Sequence, residues 1–485
     1  MKAGGLEEHL RPLNLIKSCA ISAGMQGIAM NAQMIAGIDA ARLDAFAKAE
    51  AAIYAASRPK SRLAQEGAAA YLDGVPLHWM RDWPMPFLPL VASAKGAVIT
   101  DIDGHDLADF CLGDTGSMFG HSPGPVAKAI RRQAGKGLTY MLPTEAALVA
   151  GHLLTETFGD FRWQITTTAT DANRFALRVA KAVTGKPKVL VFTGCYHGTV
   201  DETFVTLKAG KTVNRPGLLG QVADLSKVAV ACEFNDLGQV EAALAKGDVA
   251  AILTEPVMTN SCMVLPAPGF HDGLRQLADQ YGALLIIDET HTISSGLGGY
   301  TRVHGLQPDI FVVGKCVAGG VPTGVWGLSP SVALRYVKVN AGRDSGHSGM
   351  GTTLSANPMQ FVALEANLSR VMTAKAYAHM EKLAARLEKG LSQAITKAGA
   401  PWHVVRVGAR VEFICAPGPL RNGAEAALAH VPAVEAALHT GLLNRGSLIA
   451  PFHNMMLISP ATGRKQVDRL IRAFTDLLHI LLTKV

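Results

Sequence analysis

Five short apolar runs dominate the middle of this chain and limit what it can fold into. They are KVLVFT (188–193), KVAVAC (227–232), VAAILTEP (249–256), ALLIIDET (283–290) and DIFVVGK (309–315). Nearly continuous apolar runs of this length are strands covered on both faces. Between them, QVEAALAKG and DGLRQLADQYG carry helical spacing. Strands alternating with helices imply an α/β domain with a mostly parallel sheet covered by helices. Upstream, DAARLDAFAKAEAAIYAA is helical, and KGAVITDIDGHDLADF is a hairpin turning at Asp103-Gly104. From about residue 366 a long helix, short strands and a final helix make a smaller α/β unit. The expected organisation is a loosely ordered extension over 1–38 and the N-terminal part of a small domain over 39–105. A large domain follows over 106–365, and 366–485 returns to the small one.

Composition excludes several function classes. At 485 residues, 49% apolar and 18% charged, the chain has ample material for a core. The net charge of +7 is dispersed, with no basic run of five or more, so no nucleic-acid partner is expected. Seven cysteines without a CxxC imply reduced thiols, a cytoplasmic location and no metal site. No apolar stretch reaches the roughly 18 residues that span a bilayer, so no membrane partner is expected either. GKT at 210–212 is not a phosphate-binding loop, because Val205 stands where that loop needs glycine. No GxGxxG follows an early strand, which disfavours a hydride-transferring enzyme.

Ligands of open parallel sheets sit at the carboxyl ends of the strands. Asp288 ends one strand, Glu255 another, and Lys315 lies just past a third in FVVGKCVAGG. An ammonium beside a buried strand is costly unless paired or neutralised. Taken singly, the lysine could be solvated and the aspartate could cap a turn. Together they meet the needs of pyridoxal phosphate, which takes a lysine amine as an imine and a carboxylate at its pyridine nitrogen. ITTTATDANRFALRVAKAV (165–183) has amphipathic helical spacing and opens on Thr166, Thr167, Thr168, Ala169 and Thr170. Such a helix start binds a phosphate through its free amides, or is simply capped by its hydroxyls. Tyr196, in CYHGTV, could stack on a cofactor ring or pack in the core. His291 could reach the cofactor's phenolic oxygen or hold its turn.

These motifs, in this order, resemble the class III, fold-type I aminotransferases. The resemblance is greatest to the branch with glutamate-1-semialdehyde 2,1-aminomutase and the β-amino-acid and amine transaminases. It runs from about residue 70 to the C-terminus through DIDGHDLADF, GHS (120–122), ITTTATDAN, YHG (196–198), TEPV (254–257), GALLIIDET, VVGKCVAGGVPTGVWG and GTTLSANP (351–358). The resemblance implies that Lys315 is the Schiff-base lysine and Asp288 the pyridine partner. It further implies that Thr168, Ala169 and Thr170 hold the phosphate, Tyr196 stacks on the ring, and Glu255 belongs to the pocket. Thr290 would face the ring and His291 would occupy the polar position beside it. Thr353 would reach the phosphate of a neighbouring subunit, making a homodimer with shared sites.

Three departures from the family pattern bear on substrate. SGTEA is replaced by TATDA, and DEV followed by Gln or Met becomes DETH. The arginine that grips a carboxylate in β-amino-acid transaminases falls near Phe452. Arg81 is left as a carboxylate contact, and Trp83, Met85, Phe87, Met118, Phe119 and Phe452 as an apolar wall suited to amines without a second carboxylate. The implied activity is a two-step exchange through Lys315, from an amine or amino-acid donor to a keto or aldehyde acceptor. The alternative is an intramolecular amino shift like that of the aminomutases. A non-catalytic scaffold is disfavoured by the intact Lys315 and Asp288.

Overall fold

A computed structural model of the protein describes residues 34–344, 346–451 and 453–482. Most of the expected N-terminal extension, together with Phe452, lies outside the described residues. Helix α1 (Ala40–Ser57) begins where the alanine-rich stretch does, with Asp39 accepting from the Arg42 amide at 2.8 Å.

The central sheet holds all five apolar runs. Its strands in chain order are β1 (Arg162–Thr166), β2 (Lys188–Phe192), β3 (Ala229–Cys232), β4 (Val249–Thr254), β5 (Leu284–Asp288), β6 (Ile310–Val313) and β7 (Gly324–Leu328). They lie side by side in the order β3-β2-β4-β5-β6-β7-β1. Every residue of β4, β5 and β6 is buried, which is why those runs show no polar alternation. The neighbours from β3 to β6 pair parallel, and β7 runs antiparallel to both β6 and β1. Six carboxyl ends therefore collect along one edge. Between β1 and β2 runs α2 (Ala169–Thr184), and its apolar face, with Ala172, Phe175, Ala176, Val179 and Ala180, packs on the sheet.

The smaller unit is made where the chain's two ends meet. Asp106–Asp109 pairs antiparallel with Val98–Asp101 and parallel with Ser447–Leu448. The hairpin turns as expected, with Gly104 at φ +93°. The domain edge expected at 105/106 thus falls inside a hairpin. A second sheet joins His403–Val407, Arg410–Ile414 and Met455–Leu457. The long helix expected from residue 366 is instead two, α3 (Pro358–Arg370) and α4 (Ala374–Ala398). Thr373 separates them, because its hydroxyl accepts from the Ala376 amide at 3.2 Å and caps a new helix. The last helix, α5 (Arg464–Leu482), packs along α4.

Candidate active site

The carboxyl edge of the sheet opens into a cavity of about 390 Å³. Lys315, Asp288, Glu255, Tyr196, Thr290, His291 and the Thr168-Ala169-Thr170 helix start all line it. Parallel pairing of β5 with β6 puts Asp288 opposite Val312, so the chain leaves both strands on the same side and Lys315 follows within one turn. Lys315 has φ +48°, a left-handed conformation that a lysine adopts at a cost of about 1–3 kcal/mol. Gly314 before it has a purpose of the same kind: a Cβ there would lie 2.7 Å from that of Ala169. The lysine turn thus packs directly on the first residue of α2.

Asp288 is buried and fully engaged. Its Oδ2 accepts from Asn173 Nδ2 at 2.8 Å and meets His197 Nδ1 at 3.0 Å, while Oδ1 accepts from the Thr290 amide at 3.1 Å. Burial alone would raise this carboxyl, but the hydrogen bonds from His197, Thr290 and Asn173 outweigh it and hold the group below its ordinary range. Asp288 is thus an anion on the cavity floor. Glu255 differs. Its two oxygens accept from the Tyr196 and Thr259 amides, the Thr259 hydroxyl and Asn260, so it braces the Tyr196 loop.

Lys315 Nζ, 24% exposed as a side chain, lies 2.6 Å from Asp114 Oδ2 and 2.7 Å from His291 Nε2. Asp114 and Thr115 sit in a tight loop with φ of +49° and +80°. Burial would raise Asp114, but Lys315 beside it, whenever protonated, reverses this and holds the carboxyl far below its usual range. Burial pushes His291 well down, so its imidazole is neutral. Burial also raises the Tyr196 phenol to about 12. Its ring meets Trp79 edge-on with centroids 5.9 Å apart.

The residues fit pyridoxal phosphate. Thr168 caps α2 by accepting from the Asp171 amide, which leaves the amides of the first turn facing the cavity. Gly198 makes room beside them, since a Cβ there would sit 2.1 Å from Thr170 Oγ1. Three buried polar atoms in the lining, Thr290 Oγ1, Thr323 Oγ1 and His197 Nε2, have no protein partner. A cavity walled by an anion, a lysine amine, helix-start amides and unpaired hydroxyls is suited to a charged aromatic phosphate.

The expected substrate wall is not here. Arg81 is half exposed and pairs with Asp73 and Asp82, each at 3.2 Å, away from the cavity. Trp83 packs edge-on against His439, and Phe119, 4% exposed, against Tyr377. Met85 and Met118 are core as well. Burial is worth about 1.5–3 kcal/mol for such side chains, and the core claimed them. Thr353 is exposed and does not line this chain's cavity. A second chamber of about 640 Å³ adjoins the first through Trp79 and Tyr196, and its lining includes Arg215, Asn260, His430 and His453. Arg215 Nη2 donates to the Cys195 carbonyl at 3.0 Å, and no carboxylate among the described residues pairs with this guanidinium. No motif or spacing singles out Arg215 or Arg410. Asp114 and His197 were better signalled, one between two glycines in GDTG and the other inside YHG.

Comparisons with known proteins identify the family. A profile of the family "Aminotransferase class-III" matches residues 80–474. Glutamate-1-semialdehyde 2,1-aminomutase of Desulforudis audaxviator is 31% identical over 385 residues, 78% of this chain and 88% of that protein. The crystal structure of a glutamate-1-semialdehyde-aminomutase from Pseudomonas aeruginosa PAO1 is 48% identical, with a TM-score of 0.90 over 92% of this chain and 100% of that one. An omega-transaminase from Sphaerobacter thermophilus is 27% identical, with a TM-score of 0.79 over 87% of this chain and 97% of that one. This chain belongs to the class-III aminotransferases, enzymes of fold-type I whose cofactor is pyridoxal phosphate.

Proposed function

We propose that the protein transfers an amino group at Lys315, and that the donor is an amino compound bearing a carboxylate. The observation that carries this reading is the convergence of the Lys315 amine and the Asp288 anion on one cavity with the start of α2. Pyridoxal phosphate bound there supplies the electron sink for breaking the bond from substrate Cα to hydrogen. Asp288 would hold a positive charge at the ring nitrogen, supported by His197 and Asn173. The first turn of α2 with Thr168, Ala169 and Thr170 would hold the phosphate, and Tyr196 and Thr290 would line the ring. The free amine of Lys315 would take the proton from substrate Cα and deliver it past the intervening nitrogen, two atoms along. Glu255 keeps the Tyr196 loop in place.

Two features support the carboxylate. Arg215 presents to the adjoining chamber a guanidinium that pairs with no carboxylate among the described residues, and a planar fork of this kind matches a carboxylate. Of the apolar wall that favoured plain amines, Met85, Met118 and Phe119 are in the core and Trp83 and Phe87 pack against it. We further propose a homodimer in a reducing, cytoplasmic setting. The exposed Thr353 is free to reach a second copy's phosphate site, and Cys111, Cys195, Cys232, Cys262, Cys316 and Cys415 are buried and unpaired.

The transfer runs between two molecules or within one. The exchange between donor and acceptor is the family's general reaction, whereas the aminomutase names of the Desulforudis and Pseudomonas relatives favour the internal shift. Substrate requirement separates them. Glutamate-1-semialdehyde supplied without another substrate is converted to its isomer with the amino group moved from C2 to C1 if the protein acts as an aminomutase. Turnover that requires an added amine and keto acid assigns the protein as an intermolecular aminotransferase. No turnover in either format contradicts the proposal.

A further inference from the structure

Behind Lys315 lies a line of polar groups that the amino-transfer reading leaves unused. Arg410 is wholly buried on the second sheet of the smaller unit. Its Nη2 reaches the Thr115 hydroxyl at 2.5 Å and His291 Nδ1 at 3.0 Å. Thr115 Oγ1 itself lies 3.3 Å from the same ring nitrogen. On its other side, His291 Nε2 is 2.7 Å from Lys315 Nζ, which is 2.6 Å from Asp114 Oδ2.

Donor and acceptor roles along this line are forced. A guanidinium has five N–H donors and no acceptor. A Thr115 hydroxyl that accepts from Arg410 has its own proton left for His291. Both neighbours of Nδ1 therefore donate to it, so Nδ1 carries the lone pair and the single ring proton of the neutral imidazole sits on Nε2. That proton points at Lys315 Nζ. An ammonium there would set N–H against N–H at 2.7 Å, whereas a free amine accepts from His291 and donates its own hydrogen to Asp114.

We infer that His291, locked in the Nε2–H tautomer by Arg410 and Thr115, is a positioning residue that selects the unprotonated form of the Lys315 amine and aims its lone pair. The inference rests on the reading of Lys315 as the reactive amine. Asp114 pulls the other way, since a carboxylate favours the ammonium. The charged and titratable groups around His291 and Arg410 are Lys315 and Cys316 on the lysine turn, Asp114 on its loop, Glu412 on the Arg410 strand, His453 beyond it and Glu255 after β4. The two opposed neighbours set Lys315 so that a change at His291 shifts its protonation. An amine must be unprotonated to act as a nucleophile or to accept the Cα proton.

Two measurements test this. In the full-length holoenzyme with ¹⁵N-labelled histidine, NMR should show one ring, lost in His291→Gln, with a lone pair on Nδ1 and a proton on Nε2. The opposite tautomer, or an imidazolium, at neutral pH overturns the inference without touching the amino-transfer reading. In the full-length chain stripped of cofactor, the pH midpoint for covalent capture of pyridoxal phosphate by Lys315 should rise by about one unit in His291→Phe. At pH well below both midpoints the rate then falls about tenfold, as one unit of pKa is a tenfold change. His291→Gln, which keeps a donor, should restore part of it. A midpoint unmoved in His291→Phe rejects the role, and capture at a different lysine rejects the amino-transfer reading itself.

Discussion

The sheet-edge wall of the cavity and the wall facing it come from different kinds of sequence. Lys315, Asp288 and Glu255 stand at the ends of strands that are uniformly apolar, so a polar residue there announces itself. Arg410 faces them from a strand in which every residue is buried, within a polar and apolar mixture that carries no such mark. It meets His291 across 119 positions of chain. A site built on one sheet edge can thus be seen residue by residue, whereas a wall brought in by a second unit appears only once the packing is known.

The largest effect expected on the sheet-edge side is that of Lys315→Ala. It removes nucleophile and proton carrier together, so turnover should fall by more than the roughly 10²–10⁴-fold of a general base alone. The melting temperature should fall modestly while the fold is kept, because alanine retains the left-handed backbone and Asp114 loses its partner at 2.6 Å. Residual turnover above a hundredth of wild type would mean that the facing wall carries the chemistry. Next comes Asp288→Asn. Loss of a buried charge partner costs about 3–5 kcal/mol, equivalent to roughly two to four powers of ten in rate. Cofactor content measured by absorbance should stay above half. Asp288 is also held as an anion at neutral pH, so activity should not fall between pH 7 and pH 5 on its account. Its depressed carboxyl loses its proton at a lower pH than a free aspartate, and its contribution to stability is lost only as pH drops through that depressed value.

Smaller effects sharpen the contrast on the other side. Arg215→Gln should lower kcat/KM for a carboxylate-bearing donor by about ten- to a hundredfold, the loss of a charged hydrogen bond of about 1.5–3 kcal/mol. The value for an amine without a carboxylate should stay within a factor of two. Arg81→Ala should change neither, since its pairs with Asp73 and Asp82 are half exposed and worth about 0–1 kcal/mol. If Arg81→Ala gives the substrate-selective loss and Arg215→Gln does not, the chamber has been assigned to the wrong arginine.

Legibility followed the same division. Apolar runs, the Thr168 cap and the Asp103-Gly104 turn were readable because each is set within a few residues by burial, capping or a positive φ. The break at Thr373 was not, because a single hydroxyl cap inside a helical pattern is a weak signal. Trp83 and Phe119 were misplaced for a related reason: an aromatic suits a core and a pocket equally, and only packing against His439 and Tyr377 decides between them. Arg215 was invisible in a hairpin-following stretch, NRPG, that looks like an ordinary turn.

The most direct test of the central claim is to reduce the holoenzyme with borohydride, digest it and map the covalently fixed cofactor by mass spectrometry. One modified peptide is expected, with the pyridoxyl group on Lys315 and the yellow absorbance lost in proportion. Modification of any other lysine, with Lys315 recovered unmodified, would contradict it.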